Sequence, residues 1–278
     1  MRAAAARNIL KVLFLFLLFC ALAGGLGWLL GELRLLSLFV FAASLVAATF
    51  WAYGDRFVLG MTGARELPVG EAPALHSMVE RIAAVLRIAK PKLCILRDGH
   101  PRAYVVGRGP AGSTLAVSEG LLVALPPAEL EGVLAHELAH VRTRDVLTQT
   151  TAVMLAATLI ETSRIGGFLE RTLLFVLGPL ASAFMHALLS PRREFVADRI
   201  AADVCGSPHG LADALIRLEQ ATELVRFQAS PATEPLYTID PFPEDGLAGL
   251  FATHPPVAER VARLRDLDPE WRAKLRAA

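Results

Sequence analysis

VLAHELAHVR, Val133 to Arg142, places two histidines four residues apart with a glutamate directly after the first. The segment leading into it starts at Pro126-Pro127, carries Glu129 and Glu131, and holds no helix breaker as far as Val141. Proline fits the first helical turn, and carboxylates there complement the helix dipole, so a helix is predicted. Positions i and i+4 share one face of it. His136 and His140 can then aim two imidazoles at one cation. Glu137 lies about 100° further round, close enough to reach a water on that cation without ligating it. Zinc there would acidify the water, and Glu137 would take its proton as general base. The alternative is an ordinary helix with two solvated histidines. The flanks argue against it: Val133, Leu134 and Val141 are apolar, and Leu138 and Ala139 are uncharged. Burying two histidines and a glutamate without partners would be costly.

A catalytic zinc also needs a third protein ligand and an open position. Downstream, RREFVAD offers Glu194 and Asp198, again at i and i+4 on a predicted helix. One carboxylate can bind the metal while the other holds the far nitrogen of a histidine. Spacing does not say which does which, and such a pair standing alone is a common solvated face.

Hydrophobic residues make up 54% of the 278, and mean hydropathy is +0.47. Both values point to membrane segments. Val12–Leu30 and Leu35–Tyr53 are uncharged runs of 19 residues, each reaching about 28 Å as a helix. Only Gly31-Glu32-Leu33-Arg34 separates them, so a tight hairpin is predicted. A cleavable signal peptide is the rival reading, with Arg2, Arg7 and Lys11 as its basic region and Ala21-Leu22-Ala23 as a cleavage site. The apolar run continues past that site, and a second follows at once. Arg2, Arg7 and Lys11 precede the first run, and Arg56 and Arg65 follow the second, which puts both flanks in the cytoplasm by the positive-inside rule. Val146–Ile160 and Leu173–Ser190 are weaker apolar stretches. They are expected to form a second hairpin, with Glu161, Arg164, Glu170 and Arg171 at its outer turn. His140 and Glu194 must share one side to hold one ion. The segment between them therefore crosses the membrane twice or not at all.

Four units follow: an N-terminal hairpin over 1–56, a first catalytic part over 57–145, the weaker hairpin over 146–190, and a second catalytic part over 191–278. The expected fold class is α+β, mostly helical. The first catalytic part reads as an amphipathic helix over Glu71–Ala89 and short strands at Lys92–Leu96, Ala103–Val106 and Thr114–Val117, with a turn at Gly107–Gly112. The second reads as helices from Arg193, from Pro208 and from Thr253, with a Pro-rich, acidic loop over 228–249. Cys20, Cys94 and Cys205 form no CxxC pair and read as isolated thiols. A net charge of +1 offers no nucleic-acid footprint.

AHELAHVRTRD, two apolar stretches, then SPRREFVAD together resemble the HtpX-type membrane zinc metalloproteases, relatives of the prenyl protease Ste24. The resemblance runs from the N-terminal hairpin to THPPVAERVARL. It implies a multi-span membrane protein whose zincin-like domain sets the catalytic helix beneath a small sheet. It implies one Zn²⁺ per chain on His136, His140 and Glu194, with Asp198 behind His136. It favours four spans, a bacterial inner membrane with the catalytic domain facing the cytoplasm, and contact with lipid. Expected substrates are membrane or misfolded proteins, as in quality control. Relatives carry an Asn-Ala-Phe/Tyr strand along the substrate cleft; here PRAYVVG supplies Arg102, Ala103 and Tyr104, with Arg102 in the Asn place. Substrate could add to that strand edge. His254 in THPP matches a histidine that stabilises the oxyanion in relatives, against a plain surface histidine near a helix start. Asp145 and Arg144 suggest no role. Two other classes compete: a catalytically silent membrane scaffold, which Arg102 keeps open, and a metal transporter, which the uncharged first two runs disfavour. Nothing in the sequence indicates an oligomeric state.

Overall fold

The computed structural model describes residues 2–165, 170–224, 231–239, 253–268 and 270. Helix α1, Arg2–Thr62, enters first. Cys20 Sγ lies 3.8 Å from Ser44 Oγ, 24 residues away. A straight helix would separate them by about 36 Å, so α1 doubles back between them, as the two apolar runs predict. Its second arm continues past Tyr53 and bends by 57° between Leu36–Thr49 and Trp51–Thr62. Just before the bend, Thr49 Oγ1 donates to the Leu45 carbonyl, a back-bond of the kind that bends helices. Among the described residues no single helix is long and apolar enough to cross a membrane, and this bent pair passes only when its two parts are taken together.

Strands β1 (Arg65–Glu66), β2 (Lys92–Leu96), β3 (Ala103–Gly109) and β4 (Gly112–Ser118) form one sheet in the order β1-β2-β4-β3. β2 and β4 run parallel, and the other pairs are antiparallel. The β3–β4 strands run further than the sequence suggests, leaving only Pro110 and Ala111 between them. Gly107 sits at φ 144 beside the register shift, where a Cβ would lie 2.3 Å from the Gly112 carbonyl oxygen. Glycine alone fits there.

Helix α2 (Pro73–Leu86) joins β1 to β2, and α3 (Glu119–Ala124) follows β4, capped by Ser118 Oγ accepting from the Leu121 amide. Helix α4 (Pro127–Thr143) carries the HELAH motif, and every residue from Val133 to Val141 is buried. A helix covered all round is a core helix. Val133, Leu134, Leu138 and Val141 pack in one cluster with Ala103, Val105, Leu115 and Val117 of the sheet. Each such side chain contributes about 1.5–3 kcal/mol of burial. α4 thus lies against β3, and the sheet fixes its height.

Helices α5 (Asp145–Ile165) and α6 (Glu170–Leu188) come next. Their apolar parts, Asp145–Ile160 and Leu177–Leu188, span about 24 Å and 18 Å, short of a roughly 30 Å hydrocarbon core. α5 also packs on the domain: Val153 and Met154 join Tyr104, Val106 and Leu96 in a second face of the sheet. Part of the expected outer turn, 166–169, lies outside the described residues. Helices α7 (Arg192–Cys205), α8 (His209–Leu224) and α9 (Val257–Arg265) close the site from behind. α8 crosses α4 at Gly132, where a Cβ would meet the Leu211 amide nitrogen at 2.7 Å. Within the expected loop 228–249, Pro231–Leu236 is a 3-10 helix and the chain continues to Ile239; 228–230 and 240–249 lie outside the described residues.

Candidate metal centre

α4 and α7 bring three ligand atoms to one point. His136 Nε2 and His140 Nε2 are 3.3 Å apart. Glu194 Oε2 is 3.2 Å from His136 Nε2, and its Oε1 is 3.7 Å from His140 Nε2. Bonds of about 2.0–2.1 Å to a tetrahedral zinc would give edges of about 3.3–3.4 Å, so two of the three separations match. All three side chains are buried, and Glu194 has 0% of its surface exposed. Neither Glu194 oxygen accepts a hydrogen bond. Arg193 Nε approaches Oε1 at 3.0 Å but off the hydrogen-bond direction. A buried carboxylate with both oxygens open costs several kcal/mol unless a cation completes it. The donor set fits a divalent metal.

Each imidazole is held from behind. Asp198 Oδ1 accepts from His136 Nδ1 at 2.9 Å, leaving Nε2 turned to the centre. Arg260 grips the same carboxylate with both arms of its guanidinium, Nε to Oδ2 at 2.9 Å and Nη2 to Oδ1 at 2.7 Å. Its Nη1 donates to the Thr238 carbonyl at 2.6 Å. Asp145 stands behind His140, with Oδ2 3.5 Å from Nδ1. Thr143 Oγ1 and Asn8 Nδ2 donate to Asp145 at 2.7 and 2.6 Å. Sequence reasoning found neither Arg260 nor Asp145 nor Asn8. Arg144, at φ 63, ends α4 in the left-handed conformation and turns Asp145 back towards the helix.

Glu137 sits beside this point with 4% of its surface exposed. Thr238 Oγ1 donates to its Oε1 at 3.4 Å, so residues 237–239 lie over the general-base position. His254 is drawn in by Glu234: its Nδ1 is 2.8 Å from Glu234 Oε1, and its Nε2 is 3.8 Å from Glu194 Oε2. Glu234 is fully buried and also accepts from the Thr253 amide at 2.9 Å and hydroxyl at 2.7 Å. His254 therefore faces the centre and is not a surface histidine. Its partner Glu234 lies in a stretch whose prolines and acidic residues read only as loop.

The profile of peptidase family M48 matches residues 70–268, a span that takes in His136, His140, Glu194, Asp198, His254 and Arg260. The chain belongs to peptidase family M48. It is 38% identical to a "Protease HtpX homolog" of Salinibacter ruber over 264 residues, covering 91% of this chain and 94% of that protein. It is 37% identical to a "Protease HtpX homolog" of Pyrococcus abyssi over 268 residues, covering 89% and 91%. It is also similar to the crystal structure of S. mikatae Ste24p, at 20% identity and a TM-score of 0.47, covering 95% of this chain and 66% of that one. The HtpX-type resemblance read from the motifs holds, and the chain is a metallopeptidase that acts on peptide or protein substrates.

The electrostatics of this M48 site favour positive charge at the centre. Burial alone would raise the Glu194 carboxyl, but Arg193, His254 and His140 outweigh it and hold it well below the usual range. Burial opposes charge on His140, yet Glu194 and Asp145 push it up to about 9. For Asp198 burial is overcome by Arg260, and the carboxyl falls to about 2. Glu137 goes the other way: burial raises its pKa, against the pull of His136 and His140. A raised carboxyl is what a general base needs if it must later give the proton up.

The strand expected to line the cleft, β3, is an edge strand of the sheet, but the expectation for its side chains needs a correction. Ala103 and Tyr104 have no exposed surface. Ala103 packs towards α4, and Tyr104 packs on the opposite face with its hydroxyl bonded to Thr62 Oγ1. Neither side chain lines a cleft, because a strand with both faces covered buries alternate side chains on both sides. Arg102 is buried too, paired with Asp98 at 2.7 Å and donating to the Tyr237 hydroxyl at 2.8 Å. In the place of the family asparagine, it ties the strand to the segment that covers Glu137.

Proposed function

We propose that this M48 member is an integral membrane zinc endopeptidase that works on membrane or misfolded proteins. The observation that carries the reading is the convergence of His136, His140 and Glu194 on one point, two of their three separations matching a tetrahedral site, with a buried glutamate on the next helical position. His136, His140 and Glu194 would hold the ion, one per chain. Zinc so held acidifies water and polarises a scissile carbonyl. Glu137 takes the proton of the attacking water on its carboxylate and delivers it to the leaving amine nitrogen. His254, fixed by Glu234, points Nε2 into the centre, where it can donate to the oxyanion as that develops. Asp198 and Arg260 keep His136 in one tautomer throughout. The silent-scaffold alternative is disfavoured, since ligands and base are all in place.

The membrane part of the reading rests on α1. Leu10, Leu13, Phe14, Leu17, Trp28 and Phe41 are all at least half exposed, a patch that water would not tolerate on a monomer. The N-terminal hairpin, 1–56, would lie in the bilayer. The second, weaker hairpin, 146–190, would lie beside it, its apolar parts being too short to cross a bilayer alone, and 57–145 with 191–278 would form the catalytic body. Basic flanks favour that body in the cytoplasm, and the HtpX-type resemblance favours the inner membrane of a bacterium. Glu137→Gln tests the chemistry. It should bind zinc as the parent does, yet hydrolyse casein or a model peptide about 10²–10⁴-fold more slowly. Normal turnover by that variant would end the mechanism.

A further inference from the structure

A second feature lies outside the metal centre. A cavity of about 510 Å³ opens between the two arms of α1 and helix α5. Its walls are apolar, with Val12, Phe16, Val46, Leu155 and Leu159 among them. Its polar rim sits at one end, where Asp55 of α1 and Arg108 of β3 line it. The Arg108 guanidinium lies 5.0 Å over the ring of Trp51, which also lines the cavity. Indole–guanidinium stacks of this kind suit the membrane interface, where one end is apolar and the other wet. Beside Arg108, Thr150 Oγ1 accepts from the Gly107 amide, and both of these residues also line the cavity.

Size selects the occupant. At about 30 Å³ per water-sized group, a volume close to that of one methylene, 510 Å³ holds on the order of 17 such groups. That is one acyl chain of ordinary membrane length. A helix about 10 Å across would get little more than one turn into the same space, so a substrate's transmembrane helix does not fit. Charge selects the head. Arg108 can take a phosphate diester by charge-assisted hydrogen bonds, and Asp55 on the same rim can accept from a primary ammonium. We propose that the cavity is a binding site for one phosphatidylethanolamine molecule, with one acyl chain inside, its phosphate at Arg108 and its amine at Asp55. The second acyl chain stays in the bilayer. The proposal rests on the membrane placement of α1.

The test uses the full chain, purified in a mild detergent and given phosphatidylethanolamine at low molar excess, with native mass spectrometry as the readout. The parent chain should carry a single lipid adduct. Ala47→Trp, which fills the cavity from α1, should lose it, and Leu155→Trp, which fills it from α5, should do the same. Arg108→Gln should weaken the adduct about tenfold, as expected for loss of a charge-assisted contact. Bound metal shows that each variant is folded, since the centre lies outside the cavity. A parent chain without the adduct, or adducts unchanged in metal-loaded Ala47→Trp and Leu155→Trp, would overturn the site. A chain that stays soluble without detergent would instead overturn the membrane reading on which it rests.

Discussion

Replacing Arg260 by methionine asks whether the buried guanidinium is a structural clamp on the metal centre. Arg260 has no exposed surface, and three of its hydrogen bonds end on Asp198 and the Thr238 carbonyl. Methionine fills much of the same space but strands the Asp198 carboxylate in the interior. Breaking a buried pair from one side costs about 3–5 kcal/mol. For a chain of 278 residues, with an unfolding entropy of about 0.6 kcal/mol/K, that is a fall of about 5–9 °C in the thermal midpoint. Zinc affinity should fall about tenfold, the low end for an outer partner, because Asp198 still reaches His136 Nδ1. The second half of the test is Arg260→Met with Asp198→Leu. With both charges gone, the midpoint should recover towards the parent value, while zinc affinity drops further because His136 loses its acceptor. Differential scanning fluorimetry and competitive zinc titration read the two quantities separately. An unchanged midpoint in Arg260→Met, or a double variant less stable than the single one, would refute the clamp.

Three further outcomes follow from the same geometry. Gly132→Ala would force a methyl to within 2.7 Å of the Leu211 amide, one turn before His136; about 1–3 kcal/mol of stability should be lost by overpacking, and a thermal melt equal to the parent's would contradict the close α4–α8 crossing. Thr238→Val keeps the volume over Glu137 but removes the donor to Oε1. If a bound peptide displaces that contact, which at 3.4 Å is worth little, kcat/KM on a small peptide should rise about two- to fivefold; a fall would mean that Thr238 helps catalysis. Chelation should abolish hydrolysis and lower the melting midpoint, with both restored by added zinc; activity that survives complete metal removal would sink the ligand assignment.

Much of this site could be read in the sequence, and the reason is periodicity. His136, Glu137 and His140 needed only the turn of one helix, and Glu194 with Asp198 the turn of another. The resemblance then said which carboxylate faced the ion, something spacing had left open. The strands were legible from short apolar runs, but their ends were not: Gly107 reads as a turn residue, whereas here it sits inside β3 because only glycine fits against the Gly112 carbonyl. Arg260, Glu234 and Thr238 were missed for a different cause. Each acts across a gap of many residues, 62 between Arg260 and Asp198 and 101 between Thr238 and Glu137. Glu234 sits among prolines, where a carboxylate is ordinarily solvated. No local pattern in the sequence marks it, or residues 232–239 around it, as buried. Tyr104 erred in the opposite direction, since a motif position suggested a cleft and its ring went to the core.

The N-terminal arm connects these two kinds of residue. Asn8 Nδ2 donates to Asp145, which stands behind His140. Three residues on, Lys11 Nζ donates to the Leu188 carbonyl at the end of α6, just before the helix that carries Glu194. The basic segment that sequence reading assigns to membrane orientation thus also touches Asp145, behind the candidate ligand His140, and the chain just before α7. Its two jobs are compatible only if the start of α1 lies at the level of the metal centre. On the membrane placement of α1 proposed above, that would set the centre near the membrane surface. A boundary drawn at residue 56 therefore separates sequence classes, apolar from mixed, without separating the catalytic unit: the first turns of α1 belong to the site, because a buried Asp145 without Asn8 would hold His140 less firmly.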